Sequence, residues 1–186
     1  MKSVLISIQP KWCELIASGK KTVEVRKTKP KLETPFKCYI YCTNTKPYLV
    51  WGDVFRGNWQ TEFTHLSGYN RKEAEEIWDV FNGKVIGEFV CDEITPLFNV
   101  ATTSWDLLAG NVHEYAKALV RMARLTEEEM HSYAKGENCY AWHISNLVIY
   151  YEPRELSEFN HCGVNYHFNP PITRPPQSWC YVEKGE

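Results

Sequence analysis

Apolar positions change their spacing twice near the start of the chain. Residues 3–8 place Val4, Ile6 and Ile8 on one face at a period of two, which predicts a strand. Residues 10–18 then place apolar side chains at helical spacing, and Pro10 suits the first turn of a helix. Gly19 is suited to a left-handed cap at the end of that helix. Because residues 22–26 alternate again, a strand–helix–strand corner is predicted.

The rest of the chain reads as short strands with a few helices. The predicted strands are residues 36–43, 84–94 and 178–182, together with 140–151 as a strand pair or one bent strand. The predicted helices are residues 71–81, residues 104–124, and a short helix from the capping box of Thr126 and Glu129 to about Gly136. The alternation of strand and helix that is typical of a parallel sheet is missing from this order. The pattern therefore predicts an α+β fold, a small mixed β-barrel of about five to six strands decorated by short helices.

Composition and cysteine usage indicate a folded domain in a reducing compartment. The 186 residues are 44% hydrophobic, which is enough to build a core. The first apolar run is too short for a signal peptide and no later run approaches a membrane span, so we expect a cytoplasmic protein without a membrane partner. The seven cysteines are odd in number and scattered, so we expect reduced thiols.

Charge is distributed unevenly along the chain. Residues 1–46 contain ten Lys or Arg against three Asp or Glu, whereas residues 47–98 contain four against nine. A basic N-terminal third on a mildly acidic body suits a local patch that faces phosphate. A solvated lysine face would give the same count, and charge alone does not separate the two interpretations.

Three separated segments read GKKTVEVR at residues 19–26, GKVIGEF at 83–89 and YAWHI at 140–144. Together they resemble the motifs of ASCH domains, which are relatives of the PUA RNA-binding fold. Residues 19–26 are similar to the family's G-x-K-x-x-E-x-R signature at a helix-to-strand corner. Residues 83–89 resemble the central strand that carries V-I-G, and residues 140–144 resemble the late aromatic strand. Residues 174–183 read RPPQSWCYVE and are similar to the C-terminus of larger ASCH proteins from phages and prophages of Gram-positive bacteria.

The resemblance implies the domain organisation as well as the fold. Residues 1–186 would form a single ASCH or PUA-like domain, with insertions at about 47–82 and 99–124. Residues 153–186 would form an extended C-terminal tail, which fits Pro170, Pro171, Pro175 and Pro176.

The corner at residues 19–26 is the strongest candidate for function. Glu24 and Arg26 share a strand face and can pair, which leaves Lys21 as the free donor of a basic cleft. We therefore expect the chain to bind RNA, another nucleic acid or a nucleotide, with Trp12 and Trp142 stacking on bases if they lie at the cleft mouth. The alternatives are an ion-pair network that fastens strand to helix, and a Trp12 that belongs to the core. The predicted binding residues are Lys20, Lys21, Arg26, Lys27, Trp12 and Trp142.

Two other functions stay open. The resemblance implies that some members remove the acyl group of acetylcytidine with a Lys, a Thr and a Glu, and that others cleave RNA. In this chain the catalytic residues would be Lys21, Glu24 and Glu137, but Glu24 stands where the amidohydrolases carry threonine, so we expect binding before catalysis. The third possibility is a phage accessory protein whose residues 47–82 bind a host protein.

No cofactor or metal site is predicted. Residues His161, Cys162, His167 and Cys180 are potential zinc ligands in the tail. Adjacent His161 and Cys162 are awkward as joint ligands, and the paired spacing of structural zinc sites is absent.

Overall fold

The computed structural model describes residues 2–52, 62–66, 68–97, 111–162 and 169–184. Over these residues the fold is mixed α+β, and the chain groups into two compact units. The strands are β1 Ser3–Ile8, β2 Val23–Arg26, β3 Phe36–Cys42, β4 Tyr48–Gly52, β5 Glu62–Leu66, β6 Val85–Cys91, β7 Ile94–Leu97, β8 Cys139–His143, β9 Ser145–Arg154, β10 Phe159–His161 and β11 Trp179–Lys184. The helices are α1 Pro10–Ala17, α2 Arg71–Glu75, α3 Asn111–Met122 and α4 Glu127–Ala134, with a 3-10 turn at Leu156–Glu158.

The first unit comprises Met1–Gly19, Lys37–Phe89 and Leu147–Glu186. It contains a six-stranded sheet in the order β10-β11-β1-β3-β6-β9, in which β1 pairs parallel with β3 and antiparallel with β11. Every residue of β1 is buried, as expected for a central strand. One cluster of this unit's core gathers Leu5, Tyr39, Tyr41, Val85, Phe159, Ile172 and Val182.

A hairpin of β4 and β5 lies in the first unit beside α2. Its cluster combines Tyr48 and Val50 of β4 with Ala74 of α2 and with Val80. The sequence pattern predicted the helix over residues 71–81 but not the hairpin. The helix ends earlier because Val80 forms a β-bridge with Val50, which requires the chain to leave the helical conformation.

The second unit comprises Lys20–Phe36 and Val90–Asn146, and it contains residues 20–26 of the predicted corner. Strands β2, β8 and β7 form an antiparallel sheet in that order. One face of this sheet packs against α3 and α4 through Val25, Ala141, Leu119 and Met130, all buried. The predicted capping box starts α4, since the Thr126 side chain accepts from the Glu129 N–H at 3.0 Å and Glu129 accepts from the Thr126 N–H.

The predicted α+β class is confirmed, but the described strands do not form a closed barrel. They are hydrogen-bonded in sheets of six, three and two strands, because β2, β7 and β8 pair with each other instead of extending the larger sheet. Asn82 and Gly83 lie in a turn, as an Asn-Gly pair favours, and residues 140–151, predicted as a strand pair or one bent strand, lie in β8 and β9 with a break at Ile144. Residues 104–110 of the predicted helix 104–124 lie outside the described residues. The insertions, and the single domain that they interrupt, stay predictions.

Candidate functional site

Lys21 is a buried residue. It directly precedes the short bend into β2, and the Thr22 N–H donates to the carbonyl of Met122 at the end of α3 (3.1 Å). This pairing carries the Lys21 side chain beneath the segment after α3, where Nζ donates to the Ala123 carbonyl oxygen at 2.7 Å. Only 3% of Lys21 is exposed. The expectation of a free lysine donor is therefore wrong, because the end of α3 covers the ammonium group.

Glu24 bridges two cations. Its Oε2 lies 3.2 Å from Lys21 Nζ, and its Oε1 lies 3.1 Å from Arg26 Nη2. Glu24 and Arg26 are two positions apart on β2, so they share a face as the strand period requires. The Lys21 contact is not aligned as a hydrogen bond, and no aligned donor from the described residues reaches Glu24 Oε2. The structure thus brings three predicted residues into one buried network, and the charges within it give a net excess of one positive charge.

A second, exposed ion pair lies at the end of β2. Lys27 Nζ is 3.2 Å from Glu137 Oε2, and the Glu137 side chain is 63% exposed. The predicted catalytic partner of Lys21 and Glu24 therefore pairs with Lys27 in this structure. Lys20 is also exposed, and its carbonyl oxygen accepts a 2.6 Å hydrogen bond from Arg124 Nε.

The two tryptophans predicted to stack on bases have different environments. Trp142 of β8 is fully buried, and its ring packs edge-on against Phe36 with centroids 6.0 Å apart. It has no ring face available to a base in this conformation. Trp12 lies in α1 of the first unit, is half-buried, and carries the Lys11 ammonium over its ring at 4.1 Å.

Tyr133, Tyr140 and Lys29 were not among the predicted site residues, although the predicted Lys27 lies beside one of them. Tyr133 of α4 has Lys27 Nζ 5.9 Å from its ring centre, and Tyr140 of β8 has Lys29 Nζ at 5.7 Å. Burial raises the pKa of the Tyr133 hydroxyl, with opposing contributions from Arg26, which lowers it, and Glu24, which raises it. The register of β2 and β8 places Tyr140 opposite Arg26, and aromatic side chains among lysines were the signal that could have found it.

Residues 6–158 match the ASCH domain family over more than three quarters of the chain. The chain belongs to the ASCH domain family. This agrees with the resemblance at residues 19–26, and the family's fold is PUA-like. No curated protein matches the chain. The origin in a phage of Gram-positive bacteria stays a prediction.

Solved structures show the same fold. The crystal structure of ASCH from Zymomonas mobilis is 21% identical with a TM-score of 0.55, and the match covers 97% of this chain and 87% of that one. A Tyr-to-Phe variant of that protein gives 21% identity, a TM-score of 0.55 and coverages of 98% and 91%. A Ser-to-Ala variant of the same protein is 20% identical with a TM-score of 0.55, and the match covers 97% of this chain and 88% of that one. Because identity is this low, the likeness concerns the fold alone.

Over the part of the chain that the structure describes, no helix is long and apolar enough to cross a bilayer. All seven cysteines fall within it and are free thiols, as expected. Of the tail residues considered as zinc ligands, His167 lies outside the described residues.

Proposed function

We propose that this ASCH domain binds single-stranded RNA through the cations that surround the buried Lys21–Glu24–Arg26 network. The observation that carries the proposal is the difference in solvent exposure among the basic residues in and around the corner. Lys21 is buried and satisfied by protein groups, whereas Lys20, Lys29 and Arg124 are exposed to solvent. Phosphates are contacted from solvent, so the exposed cations are the ones suited to the backbone of a nucleic acid.

The aromatic residues support a ligand with bases. Tyr133 is 38% exposed and lies beside Lys27, and Tyr140 is half-buried beside Lys29. Alternating tyrosines and lysines provide stacking faces next to phosphate contacts, which is the combination that single-stranded nucleic acids require. Members of this family generally bind RNA, which favours RNA over other polyanions.

In this proposal the buried network has a supporting role. Lys21 ties β2 to the end of α3, and Glu24 holds Arg26 in place. The exposed cations Lys20 and Arg124 are the chain neighbours of Lys21 and Ala123, and Arg124 Nε donates a hydrogen bond to the Lys20 carbonyl oxygen. The network therefore fixes the backbone from which the proposed phosphate contacts project.

Titration of fluorescently labelled single-stranded RNA at several salt concentrations tests the proposal. Removing one phosphate contact, with Lys29→Ala or Arg124→Ala, should weaken binding and reduce the magnitude of the salt slope by about 1. Lys72→Ala is the matched control, because Lys72 is exposed on α2 in the first unit. RNA binding that is absent at low salt, or equally affected by all three variants, would refute the proposal.

The same samples test the hydrolase alternative. Incubation with acetylcytidine and with RNA, followed by chromatography, measures turnover directly. Turnover that Lys21→Ala and Glu24→Gln abolish while both variants remain folded would replace the binding proposal with catalysis. Tighter binding of single-stranded DNA of the same sequence would replace RNA by DNA as the proposed ligand and leave the proposed binding surface unchanged.

A further inference from the structure

A cavity of about 170 Å³ lies in the second unit between the β2-β8-β7 sheet and α3. Its residues belong to the sheet face opposite Glu24 and Arg26, since Val23 and His143 are paired and alternate with them along the strands. Residues of the cavity's apolar floor are Val23, Leu119, Met122 and Ala141, and those of its polar rim are Glu93, Thr95, Tyr115 and His143. The cavity is thus apolar inside and polar at its mouth.

Glu93 is held at the rim by neutral groups. The Thr95 hydroxyl donates to Glu93 Oε1 at 2.8 Å, and the Tyr115 hydroxyl lies 3.4 Å from the same oxygen. Among the residues that the structure describes, no lysine or arginine forms an ion pair with this carboxylate. The two hydroxyl groups therefore orient Glu93 Oε1 without neutralising the carboxylate, which can still pair with a cationic ligand.

His143 supplies a second oriented group. Its Nδ1 lies 2.7 Å from Asp92 Oδ1. Burial favours a higher pKa for the Asp92 carboxyl, but the hydrogen bonds that it accepts, the one from His143 foremost, outweigh this and lower the pKa, so Asp92 stays ionised. A carboxylate at Nδ1 favours the tautomer that carries the proton there, which leaves Nε2 as an acceptor.

We propose that this cavity binds an organic cation, an alkylammonium or alkylguanidinium group whose stem lies on the apolar floor. The two acceptors at the rim, the Glu93 carboxylate and His143 Nε2, match a head group that carries several N–H donors and a positive charge. The Tyr115 ring is half exposed at the same rim and offers a face to the cation. An anionic ligand would instead meet two carboxylates, Asp92 and Glu93.

The experiment compares two probes of nearly the same shape, butylguanidinium and neutral butylurea, by ligand-observed NMR and calorimetry on the full chain. We expect butylguanidinium to bind at least about tenfold more tightly, since one charge-assisted hydrogen bond is worth roughly 1.5–3 kcal/mol. Glu93→Gln should remove this preference. Because Glu93 is exposed, the variant is expected to fold, and its circular dichroism and melting curve verify this.

Glu114→Gln is the matched control, because Glu114 is an exposed α3 residue outside the cavity, with its Oε1 4.0 Å from Lys117 Nζ. It should leave binding unchanged. Equal binding of butylurea and butylguanidinium, or an affinity that Glu93→Gln leaves intact, would overturn the proposal.

Two further titrations with peptides distinguish a protein side chain from a free small molecule as the source of the cation. A short peptide with one arginine, compared with the same peptide carrying citrulline, reports whether a protein side chain reaches the cavity. Arginine-specific binding with Glu93 dependence assigns a protein partner, and binding of the small cation alone assigns a free amine or guanidine. The RNA titration is separate, so Glu93→Gln should leave RNA affinity unchanged even when it abolishes cation binding.

Discussion

Lys21 and Glu24 form an ion pair almost completely removed from solvent, with Nζ 3.2 Å from Oε2 and side chains 2% and 9% exposed. Desolvation of two charges is costly, and further polar contacts are needed to offset that cost. The Ala123 carbonyl accepts from Lys21, and Arg26 contacts the other carboxylate oxygen. Removing one member therefore strands the others in a poorly solvated environment.

We predict that Glu24→Gln destabilises the protein by about 3–5 kcal/mol, the range measured when one partner of a buried pair is removed. The amide keeps the shape of the side chain but removes the negative charge that Lys21 and Arg26 both contact. Urea unfolding followed by tryptophan fluorescence measures the change.

Glu137→Gln is the control for that measurement. Its pair with Lys27 is exposed, so the loss should stay below about 1 kcal/mol. Equal losses for the two variants would mean that the buried network contributes no more than a surface pair.

The sequence anticipated part of this network for a clear physical reason. Strand periodicity is local, so Glu24 and Arg26 could be placed on one face from their spacing alone. The burial of Lys21 could not be foreseen, because its acceptor at Ala123 is 102 residues away along the chain. The same limit applies to the sheets. Most strand positions follow from local periodicity, whereas the separate pairing of β2, β7 and β8 depends on contacts between residues far apart in the chain.

Asn82 illustrates the same limit at a turn. An Asn-Gly pair such as that at 82 and 83 favours a turn, and Gly83 has a φ of +85°, which glycine adopts without strain. The buried role of the Asn82 amide was not apparent. It donates to the carbonyls of Thr45 and Pro47 and accepts from the Leu49 N–H at 2.7 Å.

We predict that Asn82→Ala costs about 3 kcal/mol, because a buried donor or acceptor left without its partner costs roughly 1–3 kcal/mol. Asn70→Ala is the comparison, since Asn70 caps the exposed start of α2 and its loss should cost about 1 kcal/mol. Thermal and urea unfolding of the two variants measure the difference. An Asn82 variant as stable as the cap variant would contradict the role of the amide in holding the segment before β4.

Gly87 makes β6 and β9 fit together. A β-carbon at this position would lie 2.4 Å from the Val148 carbonyl oxygen and 3.2 Å from the Ile149 Cα, both backbone atoms. Neither can move without disturbing the pairing of the two strands. We predict that Gly87→Ala destabilises by about 2–3 kcal/mol, at the upper end of overpacking costs. Unchanged urea unfolding with an unchanged m-value would show that the strands separate easily.

Glu88 connects stability to acid pH. Burial favours a higher pKa for its carboxyl, but hydrogen bonds from Lys37 (2.6 Å) and Tyr150 (2.6 Å) outweigh this and lower the pKa. A carboxyl with a lowered folded pKa stabilises the fold above its unfolded value of about 4.3, and this contribution disappears as pH falls through the folded pKa.

We predict that Lys37→Met raises the Glu88 pKa, because burial then acts against one hydrogen bond instead of two and the lysine charge is gone. The acid loss of stability attributable to Glu88 should consequently become smaller and be complete at a higher pH, because the folded pKa lies closer to the unfolded value. Carbon NMR of the carboxyl gives the pKa, and urea unfolding across the acid range gives the stability. Lys84→Met is the control, since Lys84 pairs with the exposed Glu155 at 3.6 Å. A Glu88 pKa that shifts equally in both variants, or not at all with Lys37→Met, would show that the lysine does not set it.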